Sequence, residues 1–156
     1  PEAQLDRFML KLTMGYPSLE EEREILHRRR ERKQDEVVLR KMADAKKLLA
    51  MREVVESVHV DNDLENYIAM LVHATRTDRR AAVGASPRGS LSFLKIARAH
   101  AALVGRDFIL PDDVKHYATP VLSHRLILQP EYWMSSAIAG EVIRDALLKT
   151  PVPVLK

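Results

Sequence analysis

Leu64, Tyr67, Ile68, Leu71, Val72 and Thr75 stand at i, i+3, i+4, i+7, i+8 and i+11. That is the period of one broad face of an α-helix. Asp61-Asn62-Asp63 just before it supplies the side-chain acceptor that a helix start needs. An apolar face this wide has to be covered, and the same period returns along the chain to cover it. Asp44 caps a helix over 45–57 with Leu48, Met51, Val55 and Val58 on its stripe. Leu91, Leu94, Ala97 and Ala101 mark a helix over 87–103 that stops at Gly105. Pro111-Asp112-Asp113 opens another, with proline in the first turn and acids against the positive end of the dipole. Val114, Tyr117, Ala118, Val121 and Leu122 line its face, and Pro120 is expected to kink or divide it. Ala139, Val142, Ile143, Ala146 and Leu147 define a last helix, stopped by Thr150-Pro151. His73 lies off the first stripe and reads as a surface histidine. The expected fold is mainly α. It is a bundle of about four to five helices spanning 18–128. Leu48, Val55, Tyr67, Ile68, Leu71, Leu94, Ala97, Val114 and Val121 share its core.

Two stretches depart from the helical period. Residues 9–14 alternate, with Met9, Lys11 and Thr13 on one side and Leu10, Leu12 and Met14 on the other. That pattern predicts a short N-terminal strand, which needs a sheet to join. Leu126-Ile127-Leu128 is an apolar link that can be extended, followed by a loop carrying Tyr132-Trp133-Met134. Between the strand and the bundle, Ser18 and Glu21 form a capping box. The helix after it has few apolar residues (Leu19, Ile25 and Leu26) and ends in the basic run 27–33. Such a run reads as a solvated helix end beside a favourable dipole, with a docking face for an acidic partner or nucleic acid as the alternative.

The junction Gly84-Ala85-Ser86-Pro87-Arg88-Gly89-Ser90 carries the chemistry. Ser86 is placed as N-cap and Pro87 as the first helical residue, which sets Arg88 in the first turn near solvent. A helix N-terminus favours anions, and a guanidinium beside it suits phosphate better than an ammonium does. The bland alternative is one more surface arginine. Arg7 and Arg125 are the other arginines at structured junctions, and both are expected to be exposed.

Composition removes several functions. With no cysteine among 156 residues, disulfides, thiolate metal sites and cysteine nucleophiles are out. The net charge of +3, from 25 basic and 22 acidic residues, indicates surface ion pairs rather than a nucleic-acid stripe. No apolar run is long enough to span a bilayer and no signal peptide is visible, so a soluble, cytoplasmic domain is expected. No phosphate-binding G-x-x-x-x-G-K-[ST] loop, no dinucleotide G-x-G-x-x-G and no H-E-x-x-H occurs. Asp112-Asp113 is better explained as a helix start than as an acid/base pair. No metal site is expected.

Several motifs together resemble one family. Leu5-Asp6-Arg7-Phe8, followed by Gly15-Tyr16-Pro17, is similar to the end of the core in MoxR-type AAA+ ATPases. Gly84-Ala85-Ser86-Pro87-Arg88 resembles their sensor-2 motif. Gly105-Arg106-Asp107, Pro111-Asp112-Asp113-Val114, Val121-Leu122-Ser123-His124-Arg125-Leu126 and Val152-Pro153 match as well, in register over nearly the whole chain. Magnesium-chelatase ATPase subunits share the Leu-Asp-Arg-Phe and sensor-2 features. Leu110 departs from the family's usual threonine cap, and Tyr132-Trp133-Met134 from its charged or small residues.

The resemblance implies a division of the chain. Residues 1–16 would end the nucleotide-binding core, 17–128 would form the helical lid, and 129–156 would add a loop, a helix and a tail. The phosphate-binding loop, magnesium-binding acids and sensor-1 asparagine would precede residue 1. Arg7 would be the arginine finger acting in a neighbouring subunit. Arg88 would be sensor 2, with Ser86 and Pro87 beside it at the nucleotide, in cis or in trans. ATP and Mg2+ would be the cofactors of the longer protein, an ATP hydrolase, whereas this chain alone would not turn ATP over. The implied partners are further copies in a homo-oligomeric ring, a hexamer, and von Willebrand factor A-domain proteins, with no nucleic acid and no membrane span. The implied role is chaperone-like assembly of complexes or insertion of metal cofactors. A free-standing helical interaction module is the alternative, and a helical DNA-binding domain a third reading.

Overall fold

The computed structural model describes residues 2–135 and 137–154. In chain order they form α1 (Glu2–Leu5), α2 (Leu19–Arg32), α3 (Ala45–Ser57), α4 (Asn62–Arg76) and β1 (Ala81–Val83). These are followed by α5 (Pro87–Leu103), α6 (Pro111–Leu122), β2 (Ile127–Leu128) and α7 (Ala137–Lys149). Two 3-10 turns occupy Ser123–Arg125 and Pro130–Tyr132. The mainly α class expected from the sequence is the class observed.

Four helices make the core. All six residues of the α4 stripe are buried. They pack against Phe93, Ala97 and Ala101 of α5, Val114, Ala118, Val121 and Leu122 of α6, and Ile143 and Ala146 of α7. The last helix, set in a C-terminal stretch by sequence, therefore lies on the same core. The α5 stripe is rotated from its expected position. Leu91 is exposed, Leu94 is half-buried, and Phe93 is fully buried between Ser92 and Ala97. Alanines at 97, 99, 101 and 102 blur the apolar period, so the one aromatic in the helix, rather than the leucines, reports its inner face.

Three expectations are corrected. Leu48 is 58% exposed and Met51 is also exposed. Val55 is half-buried, and of the α3 stripe only Val58, at the helix end, reaches the core. Leu19, Ile25 and Leu26 of α2 are exposed too, and α2 buries no residue. Periodicity tells which side of a helix is apolar, not whether another element covers it. Residues 9–14 are not a strand. They are irregular and touch the bundle at their start, with the Lys11 N–H donating to the Pro120 carbonyl at 2.8 Å and Leu10 packed on the core. A strand needs a ladder of partners, and a single crossing contact is not one. The strands that do form are β1 and β2, antiparallel, with Ala81 facing Leu128 and Val83 facing Ile127. The β2 link was legible as an extended segment. Its partner β1 was hidden by the polar residues before it. Finally, α6 is not divided at Pro120: the proline falls in its last turn, and the chain then tightens into the 3-10 turn.

The caps are largely those the sequence implies. Ser18, Asp44, Asp61 and Ser86 each accept a backbone N–H of the helix they open. At the end of α5, Gly105 has φ of +77°. Its N–H donates to the Ala102 carbonyl and that of Arg106 to the Ala101 carbonyl, the paired bonds of a left-handed helix stop. Leu110 has no side-chain oxygen, so α6 is capped from inside: Asp113 accepts the Leu110 N–H at 2.8 Å. Arg106 grips the same carboxylate through both terminal nitrogens, at 2.9 and 2.6 Å. Burial pushes the Asp113 carboxyl up, but the Arg106 and Leu110 hydrogen bonds outweigh it and its pKa is lowered. Asp113 is thus a structural cap, as expected, and the burial of its carboxylate is compensated.

Candidate functional site

The start of α5 is seated on the end of α4. Thr75, on the inner face of α4, donates its hydroxyl to the Val72 carbonyl and accepts the Ala85 N–H at 3.1 Å. Arg76 Nε donates to the Ala85 carbonyl at 2.8 Å. Between them Gly84 passes so close that a Cβ there would lie 2.5 Å from the Arg76 Cα. The tight approach requires glycine, and it fixes where the next residue, Ala85, drops into the core. Ser86 follows as N-cap, its Oγ accepting the Arg88 N–H at 3.2 Å. Pro87 takes the first helical position. Arg88 then projects from the first turn, with 57% of its side chain exposed. These placements are the expected ones.

A second segment of the site comes from the N-terminal residues. Asp6 lies beside the α5 cap and accepts the Ser86 hydroxyl at 3.0 and 2.9 Å. The Arg88 Nε stands 4.0 Å from the Asp6 carboxylate, a long ion pair that leaves the guanidinium available. Arg7, the next residue, is exposed. The structure therefore brings the segment of Arg7 to the segment of Arg88 through the carboxylate between them. Sequence reasoning quoted Asp6 only as part of a motif and gave it no role.

Arg125 is the main correction. It was expected to be an exposed arginine beyond a kinked helix, and its side chain is 1% exposed. Its Nη2 donates to the Asp6, Phe8 and Ser92 oxygens at 3.3, 2.6 and 2.9 Å. Its Nη1 donates to the Met9 carbonyl at 3.2 Å and to the Val121 carbonyl. Its Nε lies 3.3 Å from the Asp6 carboxylate. Burial pulls the guanidinium below its ordinary pKa, and the charge of Asp6 opposes that. Neighbouring His124 is also held below its usual value, chiefly by burial, while its ring nitrogen sits 3.0 Å from the Phe8 carbonyl. The signal for Arg125 was present in the period: Val114, Ala118, Val121 and Arg125 fall at i, i+4, i+7 and i+11, so the arginine belongs to the buried stripe.

Beside this site, Leu5, Val83, Leu128 and Trp133 with Asp6, Ser86 and His124 line an open groove of ≈ 810 Å³. The Trp133 indole N–H is tied to the Leu128 carbonyl at 2.8 Å, and most of its ring faces solvent. The basic run at the end of α2 behaves as a solvated helix end: Arg28 pairs with Glu24 and Arg29 with Asp35. Among the described residues no group of three or more histidine or acidic side chains is placed to hold a metal ion.

Residues 73–146 match the AAA lid domain. The helical fold and this match together identify the helical lid of the AAA+ ATPases. Within that class the chain is similar to MoxR proteins. It is 36% identical over 159 residues to the chaperone MoxR1 of Mycobacterium tuberculosis, covering 96% of this chain and 41% of that one. It is 38% identical over 154 residues to the YeaC protein of Bacillus subtilis, covering 99% of this chain and 48% of the relative. A solved structure from Cytophaga hutchinsonii, described only provisionally as an ATPase, superposes with a TM-score of 0.88 at 31% identity, over 99% of this chain and 49% of that one. The chain spans about half the length of the curated relatives it matches. No helix among the described residues is long and apolar enough to cross a membrane.

Proposed function

We propose that this chain is the lid, with the last segment of the nucleotide-binding core, of an ATPase that turns ATP hydrolysis into lid movement. The observation that carries the reading is that Asp6, the chain neighbour of exposed Arg7, holds the Ser86 cap of the helix start from which exposed Arg88 projects. Arg88 is sensor 2, with Ser86 and Pro87 fixing the turn from which it reaches the terminal phosphate. Arg7 is the finger, directed at a nucleotide bound by the next subunit of a homo-oligomeric ring, a hexamer. A planar positive fork beside the charge that develops on a transferring phosphoryl group stabilises the transition state, and such fingers are worth ~10³–10⁵ in rate. Residues of the longer protein outside this chain would hold the magnesium ion and most of the phosphate chain, which is why the chain alone is expected not to hydrolyse ATP. Loss of the terminal phosphate would free Arg88 and let the lid rotate. The role is chaperone-like, on protein complexes or metal cofactor insertion in the cytoplasm, with von Willebrand factor A-domain proteins as partners. The divisions at 1–16, 17–128 and 129–156 belong to the same reading.

The test is made in the longer protein. Arg7→Ala should abolish or sharply reduce hydrolysis with ATP binding nearly intact, because a finger acts on the transition state. Arg88→Ala should reduce hydrolysis and uncouple lid position from nucleotide state. In mixed rings, Arg7→Ala subunits should impair their wild-type neighbours. Wild-type hydrolysis by both variants would refute the reading and leave the helical interaction module as the better one.

A further inference from the structure

We infer that Arg125 is a positioning residue: with Asp6 it clamps the segment that carries Arg7 to the start of the helix that carries Arg88. The two arginines then move as one body. The functional half of this inference rests on the reading above, whereas the clamp itself rests on geometry alone.

Apart from Arg125, residues 6–11 are held at their far end by the Lys11 N–H to the Pro120 carbonyl at 2.8 Å and at Phe8 by the His124 ring nitrogen at 3.0 Å. They form no strand, and among them only Leu10 packs on the core. Yet the carbonyls of Asp6, Phe8 and Met9, on both sides of Arg7, all accept from one guanidinium. The same group is anchored from below by the Ser92 hydroxyl of α5 and the Val121 carbonyl of α6. The Asp6 carboxylate extends the clamp upward, taking the Ser86 hydroxyl and standing between Arg125 and Arg88. A buried charge is a poor means of stabilising a core, because desolvation offsets much of its attraction and an apolar side chain of similar size does as well. What a planar five-donor fork does that an apolar residue cannot is to hold several backbone oxygens at fixed angles. Here those oxygens flank the proposed finger.

Two measurements test this, and the absence of cysteine allows site-directed labels to be added singly. Spin labels at Leu12→Cys and Leu91→Cys, both exposed positions, should give one narrow distance distribution in the otherwise wild-type chain. Asp6→Asn, which keeps the shape, and Arg125→Met should each broaden it about twofold or more while the helical circular dichroism persists. If Arg125→Met does not fold, Asp6→Asn carries the test, and an unchanged distribution in the folded variants overturns the clamp. In the longer protein, Asp6→Asn and Arg125→Lys should lower kcat by about tenfold to a hundredfold, the cost of a small misplacement, with KM for ATP within about twofold. Adding Arg7→Ala to Asp6→Asn should reduce the rate by less than the product of the two effects. If Arg7→Ala and Arg88→Ala impair hydrolysis while Asp6→Asn and Arg125→Lys do not, the positioning role is wrong and the nucleotide reading stands. If Arg7→Ala and Arg88→Ala have no effect, the nucleotide reading falls, and the distance measurement decides the clamp by itself.

Discussion

Gly84→Ala is the sharpest test of how the turn before Arg88 is built. A Cβ at this position would stand 2.5 Å from the Arg76 Cα and 2.6 Å from its backbone N. Neither atom can rotate away, and carbon–carbon contacts need about 3.5 Å. The turn would therefore have to retreat by about 1 Å. It is held in place by the Ala85 N–H to Thr75 at 3.1 Å and the Arg76 Nε to the Ala85 carbonyl at 2.8 Å. A shift of that size breaks at least one of them, a loss of about 1 kcal/mol, with overpacking adding about 1–3 kcal/mol. The alanine recovers about 0.4–1 kcal/mol by restricting the unfolded chain, leaving a net destabilisation of about 2–3 kcal/mol. In a domain of this size that lowers Tm by about 5–10 °C. Gly140 provides the opposite case. It lies inside α7, and nothing stands within 4 Å of the position a Cβ would take, so Gly140→Ala should stabilise by about 0.5–1 kcal/mol. Urea unfolding followed at 222 nm measures both, with the slope expected to stay constant. A Gly84→Ala variant within 0.5 kcal/mol of wild type, or less stable Gly140→Ala protein, would refute the steric argument.

Two further predictions concern the body of the fold. Phe93→Ala, at a site of 0% exposure, should cost about 3–5 kcal/mol, whereas Leu48→Ala on exposed α3 should stay within about 0.5 kcal/mol; equal losses in urea unfolding would contradict the core described here. Arg80 holds Asp78 through two hydrogen bonds from its Nε and Nη2, at 2.9 and 2.8 Å, and reaches Asp145 of α7. The side-chain bond from Arg80 lowers the Asp78 carboxyl to about 2. Its folded value lies below its unfolded one, so this stability is full above about pH 4 and is lost as pH falls through about 2, on the order of 1–2 kcal/mol. Asp78→Asn should be less stable at neutral pH and should lose less on acidification over pH 4 to 2; identical acid sensitivity would rule the pair out.

The helices, their caps and the turn before Arg88 could be read from local residue patterns. These depend on neighbours within a few residues. Ser86, Pro87 and Gly105 act through the backbone next to them, and the α4 stripe declares its inner face by a period that no distant contact has to supply. The covering of each face was decided in three dimensions. Leu48 and Leu94 belong to equally regular stripes, yet one is exposed and the other packs on the core. Residues 9–14 alternate like a strand, but a strand exists only where a partner offers its backbone, and here α6 offers one carbonyl. The site divides the same way. Arg7, Ser86, Pro87 and Arg88 were legible as motif residues. The clamp was not, because Asp6 and Arg125 lie 119 positions apart in the chain and meet only when α6 has delivered the arginine to the underside of the N-terminal segment. Charge and residue type make an arginine read as surface. Only the packed structure shows backbone oxygens that need its donors, and that need keeps a guanidinium buried where its own hydration would otherwise expel it.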